Sequence, residues 1–228
     1  MKSQFQVFSL EHILPVVVIA TAAYHWFEWS KDQRYGVQRT SSFLISLILP
    51  ALIIFDTLQG LHVGSYNVTE DLPLHMCRLA AFMMPIMFFS KNRWLFGILY
   101  FWILAGTLQA IITPDLASGF PSYEYLRYWL LHLGLVALIL FPVVVYGFRP
   151  KLRDFWNAVW TAQLYLLITL PLNYWLGSNY GYTMQKPPGA SIADLMGPWP
   201  WYILVGEVIM LLLFFLLLLP FLRKASPT

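Results

Sequence analysis

Residues 72–89 read LPLHMCRLAAFMMPIMFF, an apolar run that opens with an imidazole, the chain's only thiol and a guanidinium. From Leu79 to Phe89 the composition is that of a membrane helix, yet His75, Cys77 and Arg78 stand where hydrocarbon belongs. An ionisable group inside a bilayer is costly and normally faces the interior of a helix bundle or a wet cavity. The run therefore predicts a spanning helix whose beginning contributes to a polar site.

The rest of the chain has the same character. Of 228 residues, 59% are hydrophobic and only 11% charged, against roughly 25% charged in an ordinary soluble domain. Crossing ~30 Å of hydrocarbon takes about 20 apolar residues, and seven runs qualify: 10–27, 41–61, 73–90, 94–113, 125–147, 155–177 and 200–222. The expected fold is all-α, a polytopic membrane protein with one seven-helix transmembrane domain over residues 1–228.

Lysine and arginine set orientation. Ten of them, Lys31, Arg34, Arg39, Lys91, Arg93, Arg149, Lys151, Arg153, Arg223 and Lys224, fall after the first, third, fifth and seventh runs; only Lys2, Arg127 and Lys186 fall on the other side. The N-terminus is expected outside, the C-terminus in the cytoplasm and the protein in the plasma membrane. The first run is preceded by a short, nearly uncharged lead and is expected to be a helix, not a removable signal peptide. The net charge of +3 comes mainly from the basic loops; it sets topology and is no evidence for a nucleic-acid partner, and none is expected. A single cysteine excludes an internal disulfide and a CxxC metal site.

That topology gives every polar residue a depth. Asp56 and Gln59 end the second run, His75, Cys77 and Arg78 begin the third, Gln109 ends the fourth, His132 lies in the outer half of the fifth, Asn173 ends the sixth and Glu207 sits near the start of the seventh. With Glu11 and His12, all seven runs bring a polar residue to the outer third. This predicts one outward-facing cavity, roofed by loops rich in Gly, Pro and aromatics such as 177–199.

Several chemistries fit. His132 could be a general base oriented by Asp56 or Glu207, with Arg78, Gln109 or Asn173 binding substrate or a developing oxyanion. On a helix, Cys77 would point about 200° away from His75, so a thiol nucleophile would draw its base from another helix. Thr57, Thr107 and Thr113 are hydroxyl alternatives. His75 and His132 with a carboxylate would suit a metal by residue type, but no ligand spacing supports one and no cofactor is called for. The polar set could instead be a structural network across helices.

At LPLHMCRLAAF (72–82), TLQAIITPDL (107–116), VYGFRP (145–150), NYWLGSNYGY (173–182), KPPG (186–189) and LMGPWPWYIL (195–204) the chain resembles the YwaF-like bacterial membrane proteins. These are related to the animal transmembrane-protein-164 family. The resemblance implies seven transmembrane helices and, from the animal branch, cysteine-dependent acyl transfer among phospholipids. In that branch's motif a cysteine stands between proline and histidine. The matching triplet here is Pro73-Leu74-His75, with leucine in the cysteine's place. The resemblance implies His75 as a site residue and leaves the nucleophile to Cys77 or a threonine, or else a branch without that reaction.

Two functional expectations follow. One is a membrane enzyme that transfers or hydrolyses acyl groups of a lipid, using His75, His132, Cys77 and Asp56 for catalysis and Arg78, Gln109, Asn173 and Glu207 for binding. The other is an extracytoplasmic binding or transport protein for a small molecule.

Overall fold

The computed structural model of the chain describes residues 5–187 and 192–222. Lys2, Arg223 and Lys224 of the charge count, and Pro188 and Gly189 of KPPG, lie outside the described residues. The described residues form seven long helices: α1 (Leu10–Lys31), α2 (Tyr35–Val63), α3 (Met76–Ser90), α4 (Arg93–Ile112), α5 (Tyr123–Val144), α6 (Leu152–Leu176) and α7 (Trp201–Leu222). Each of the seven apolar runs thus becomes one helix, and the protein is an all-helical membrane protein.

Five of them, α1, α2, α4, α5 and α7, are long and apolar enough to cross a bilayer. The other two differ from the expectation for physical reasons. α3 has 15 residues, about 22 Å at 1.5 Å per residue, because residues 71–75 form bends and turns and the helix starts only at Met76. α6 has 25 residues but carries Arg153, Asp154, Asn157, Gln163 and Asn173 along its length.

Local chemistry sets the helix ends. Gly64 and Gly177 close α2 and α6 with φ of 72° and 65°, the left-handed conformation that glycine adopts without penalty at a helix C-terminus. Asn92 begins α4 by accepting from the backbone N–H groups of Trp94 and Leu95. Within α2 the helix breaks at Leu47, where Pro50 has no N–H to offer the Ser46 carbonyl.

α4 is the central helix, with 72% of its apolar window buried against 11% for α1. The apolar faces of the outer helices, including Leu14, Val18, Leu164, Leu167, Leu204 and Leu216, are exposed and suited to lipid. At the end where α4 and α6 begin, Arg93 Nη2 donates to Asp154 Oδ2 at 2.8 Å and to the Arg149 carbonyl at 2.5 Å. Arg39 Nη2 reaches the Phe89 carbonyl at 2.7 Å. The loops following α1, α3 and α5 therefore share one face, and it is the basic one.

Gly97 lets α4 and α6 close on this end. A Cβ there would stand 2.7 Å from Asp154 Cβ, whereas one on Gly134 would meet only the Leu49 Cδ2 methyl at 3.0 Å. Gly97→Ala is expected to cost about 1–3 kcal/mol as an overpacked contact, and Gly134→Ala less, since the leucine methyl can move. Thermal unfolding in detergent micelles checks the order; equal melting temperatures for the two variants would contradict it.

Candidate functional site

At the opposite end the helices diverge around a cavity of about 570 Å³. It takes one face from each of several helices: Gly106, Gln109 and Ala110 of α4 with Thr113 just past its end, Arg127, Tyr128, Leu131 and His132 of α5, and Tyr202, Ile203, Gly206, Glu207 and Met210 of α7. These spacings of three, four and seven residues are those of a single helix face. His75, Cys77 and Arg78 close one side. Six of the eight residues singled out from the sequence, His75, Cys77, Arg78, Gln109, His132 and Glu207, line this one cavity.

The other two do not. Asp56 is held by Arg127, whose Nη1 donates to Asp56 Oδ2 at 2.5 Å; it faces the cavity only through that arginine. Asn173 is 1% exposed and serves the outer loop. Its Nδ2 donates to the Tyr180 carbonyl at 2.8 Å and to Thr183 Oγ1 at 2.7 Å, while its Oδ1 accepts from Ser178 Oγ at 2.7 Å and from the Tyr180 N–H at 2.9 Å. Nor does α1 contribute as expected. His12 is enclosed with Phe5, Phe8 and Trp129, and its Nε2 donates to the Ile111 carbonyl at 2.9 Å.

The loop that Asn173 holds reaches the site through three tyrosines. The Tyr180 hydroxyl donates to the Val68 carbonyl at 2.5 Å and accepts from the Leu72 N–H at 3.1 Å, tying the loop before α3. Tyr165 of α6 donates to the Leu74 carbonyl at 2.8 Å, and Tyr202 to the Tyr182 carbonyl at 2.7 Å. Gly181 between them has φ of 69°, and a Cβ there would stand 2.5 Å from the Tyr165 hydroxyl; only glycine fits. Trp199 donates from Nε1 to the Thr183 carbonyl at 3.2 Å, so it anchors the loop. Burial, with Asp115 beside it, pushes the Tyr182 phenol up to about 12.

His75 precedes α3 in extended conformation, φ −63° and ψ 139°, as the residue flanking the helix. It is not in the first turn as expected. The angular argument that set His75 and Cys77 apart presupposed a helix through both and so does not apply. The His75 ring lies between Tyr180 and Tyr182, and Nδ1 accepts a long 3.4 Å bond from the Gly181 N–H. A backbone N–H can only donate, so the neutral ring carries its proton on Nε2.

His132 is set the other way. Its Nδ1 lies 2.8 Å from the Tyr128 carbonyl, which can only accept, so Nδ1 bears the proton and Nε2 keeps a lone pair. No described residue bonds that Nε2. The orienting group is therefore a backbone carbonyl one turn back, not the carboxylate expected. Glu207 is engaged elsewhere, accepting a short bond from Gln163 of α6.

Cys77 Sγ lies 3.7 Å from Thr107 Oγ1. Of the other hydroxyls considered, Thr113 lines the cavity but donates to the Gln109 carbonyl at 3.1 Å, and Thr57 does not reach it. The Arg78 guanidinium donates to the Asp71 and Glu70 carbonyls at 2.8 and 3.4 Å. Among the described residues no carboxylate stands within ion-pair distance of it; Arg127 acts on it as a like charge, opposed by the more distant carboxylates of Asp56 and Asp71. The rim thus holds two guanidiniums, only one of them paired. No group of three or more His, Cys, Asp and Glu among the described residues could hold a metal ion.

Sequence reading missed Asp115, Arg127, Tyr128, Tyr165 and Gln163 as parts of the site. A signal existed for Tyr128, which stands four residues before His132 and so on the same helix face. Asp115, inside TPDL (113–116), lines the cavity wall just beyond α4.

Comparisons place the chain. The model of a family described as the TMEM164 family matches residues 7–218. An uncharacterized protein of Treponema pallidum (strain Nichols) is 30% identical over 153 residues. That alignment covers 67% of this chain and 63% of the relative, so the chain spans under two thirds of the relative's length. No solved structure matches the chain significantly.

Asn173→Ala is expected to release the roof, because a buried polar group left without its partner costs about 1–3 kcal/mol. The melting temperature should fall and residues 178–187 should become sensitive to limited proteolysis before the helices do. Unchanged cleavage of that loop would contradict the latch.

Proposed function

This chain belongs to the TMEM164 family, and on that premise we propose that it is a membrane enzyme that transfers or hydrolyses acyl groups of a lipid at the outer side of the plasma membrane. The observation that carries this reading is the composition of one cavity: a neutral imidazole with an unpartnered Nε2 and the chain's only thiol line the same mostly apolar space, with guanidiniums at its rim. A lipid is an amphiphile, and this cavity is amphiphilic in the same sense.

In the proposed reaction the Cys77 thiol passes its proton to His132 Nε2 as sulfur attacks the ester carbonyl. The electron pair of the carbonyl moves to oxygen, and the Nε2–H of His75 donates to that oxyanion. Collapse of the intermediate breaks the bond to the lysolipid oxygen, which takes the proton back from His132 and leaves a thioester. A second alcohol, or water for hydrolysis, repeats the sequence in reverse. Arg78 binds the phosphate, since its planar donors match phosphate oxygens, and Arg127, oriented by Asp56, adds charge. Gln109 and Glu207 shape the pocket, and Asn173 acts through the roof.

The finer topology belongs to the same proposal: all seven helices cross the membrane, with the N-terminus and cavity outside and the basic loops in the cytoplasm. Convergence of the loops after α1, α3 and α5 on one face supports it. Single cysteines placed at Ser122 and Arg153 in a Cys77→Ser background should react with an impermeant maleimide on intact cells at the first position only; the reverse pattern overturns the orientation.

Mass spectrometry of acyl chains in phospholipid vesicles containing the purified protein tests the chemistry. Exchange or release is expected with the intact protein and should fall about 10²–10⁴-fold in His132→Ala, the usual weight of a general base. Cys77→Ser should abolish it likewise. Arg78→Ala should raise KM with kcat nearly kept, as loss of a contact made equally in ground and transition states. If folded protein leaves the vesicle lipids unchanged, the enzyme reading fails and binding of a small anion takes its place.

A further inference from the structure

Apart from Gly60, where a Cβ would make ordinary contact with Tyr66 at 3.6 Å, the glycines of the seven helices fall into two kinds. Gly97 and Gly134 make room for protein: a Cβ on either would meet a neighbour at 3.0 Å or less. Gly106 of α4 and Gly206 of α7 have no atom within 4 Å of where a Cβ would be, and both line the cavity. Gly36 also has open space, but it is the second residue of α2 and lies on the outside of the bundle. Glycine weakens a helix interior relative to alanine, so two of them facing empty space are not explained by packing between helices.

Their surroundings say what the space suits. Gly106 is exposed although Ala105 and Thr107 on either side of it are buried, and it belongs to a π turn, Ile103–Thr107, that interrupts α4. Such turns recur at functional sites. The π turn packs against α7, so the two glycines belong to adjoining walls. Leu131, Ala162, Leu166 and Met210 complete that part of the lining. Glu207, the charged residue next to Gly206 in α7, is occupied by Gln163.

We propose that Gly106 and Gly206 hold open the passage for the hydrocarbon chain of the substrate and set the length of chain the cavity accepts. This rests on the lipid reading above and assigns it a specificity element: the headgroup is held at the rim by Arg78, and the chain runs past His132 between the two glycines. A side chain at either position would shorten the passage without touching the reacting groups.

The test is direct binding of decanoyl- and stearoyl-lysophosphatidylcholine to the full-length protein in micelles, for the native chain, Gly106→Ala, Gly206→Ala, Gly106→Leu and Gly206→Leu. The native chain should bind the stearoyl lipid more tightly. Each leucine variant should lose about tenfold or more for stearoyl, the scale of a few excluded methylenes, and change little for decanoyl. The alanine variants should melt no lower than the native chain, since alanine favours helix and the space is open, and should show a smaller shift of the same sign. They decide the matter should leucine prevent folding. Equal losses for both lipids, no loss in folded variants, or no binding by the native chain would overturn the inference. Because binding needs no turnover, a length shift without acyl exchange would sink only the enzyme reading. Acyl exchange with no length shift would sink only the glycine passage.

Discussion

One buried carboxamide holds the outer half of this protein together. Asn173 stands at the end of α6 where neither bulk water nor lipid can satisfy it, and it spends its donors and acceptor on Ser178, Tyr180 and Thr183. A buried polar group must be bonded or the fold pays its desolvation. The groups it bonds belong to the loop that follows, and the loop folds back over the bundle. From there the constraint spreads: Tyr180 ties down Val68 and Leu72, which fixes how the chain enters α3 and so where His75, Cys77 and Arg78 stand.

The opposite end shows what the same physics does without a cavity. There Asp154 is 1% exposed and is met by Arg93 and by the Lys151 N–H, while Gly97 lets the two helices approach until no space is left. The charged groups there are paired with each other, Arg93 Nη2 with Asp154 Oδ2, although Arg93 Nη1 and Ser30 Oγ are buried without a partner. At the cavity end, by contrast, Arg78 leans on carbonyl oxygens, which orient a guanidinium without cancelling its charge. That difference separates an architectural ion pair from a group kept available for an anion.

The fold was legible because hydrocarbon thickness is a strong constraint on helix length; all seven apolar runs became helices, with ends shifted by a few residues. The cavity was legible to the extent that depth determines it, which is why His75, Cys77, Arg78, Gln109, His132 and Glu207 meet. Depth says nothing of direction around a helix axis. Asp56 shares the level of the site but is held by Arg127, and His12 belongs to a separate aromatic cluster. The role of Asn173 depends on a loop bending back on itself, which no helical period records. Tyr165 and Gln163 lie on α6 at positions that become meaningful only when its neighbours are known.

The two histidines of the cavity are held in opposite tautomers by partners that cannot exchange roles. A backbone N–H faces Nδ1 of His75 and a backbone carbonyl faces Nδ1 of His132. Side-chain partners such as carboxylates could take up or release a proton and let the rings change state; main-chain groups cannot. His75 is thereby left with a donor at Nε2 and His132 with an acceptor. Acyl transfer requires one of each, a hydrogen bond for the oxygen that gains charge and a lone pair for the proton that the nucleophile loses. Fixing this division through the backbone of α5 and of the folded loop makes it a property of the fold itself, dependent on the same roof that Asn173 secures.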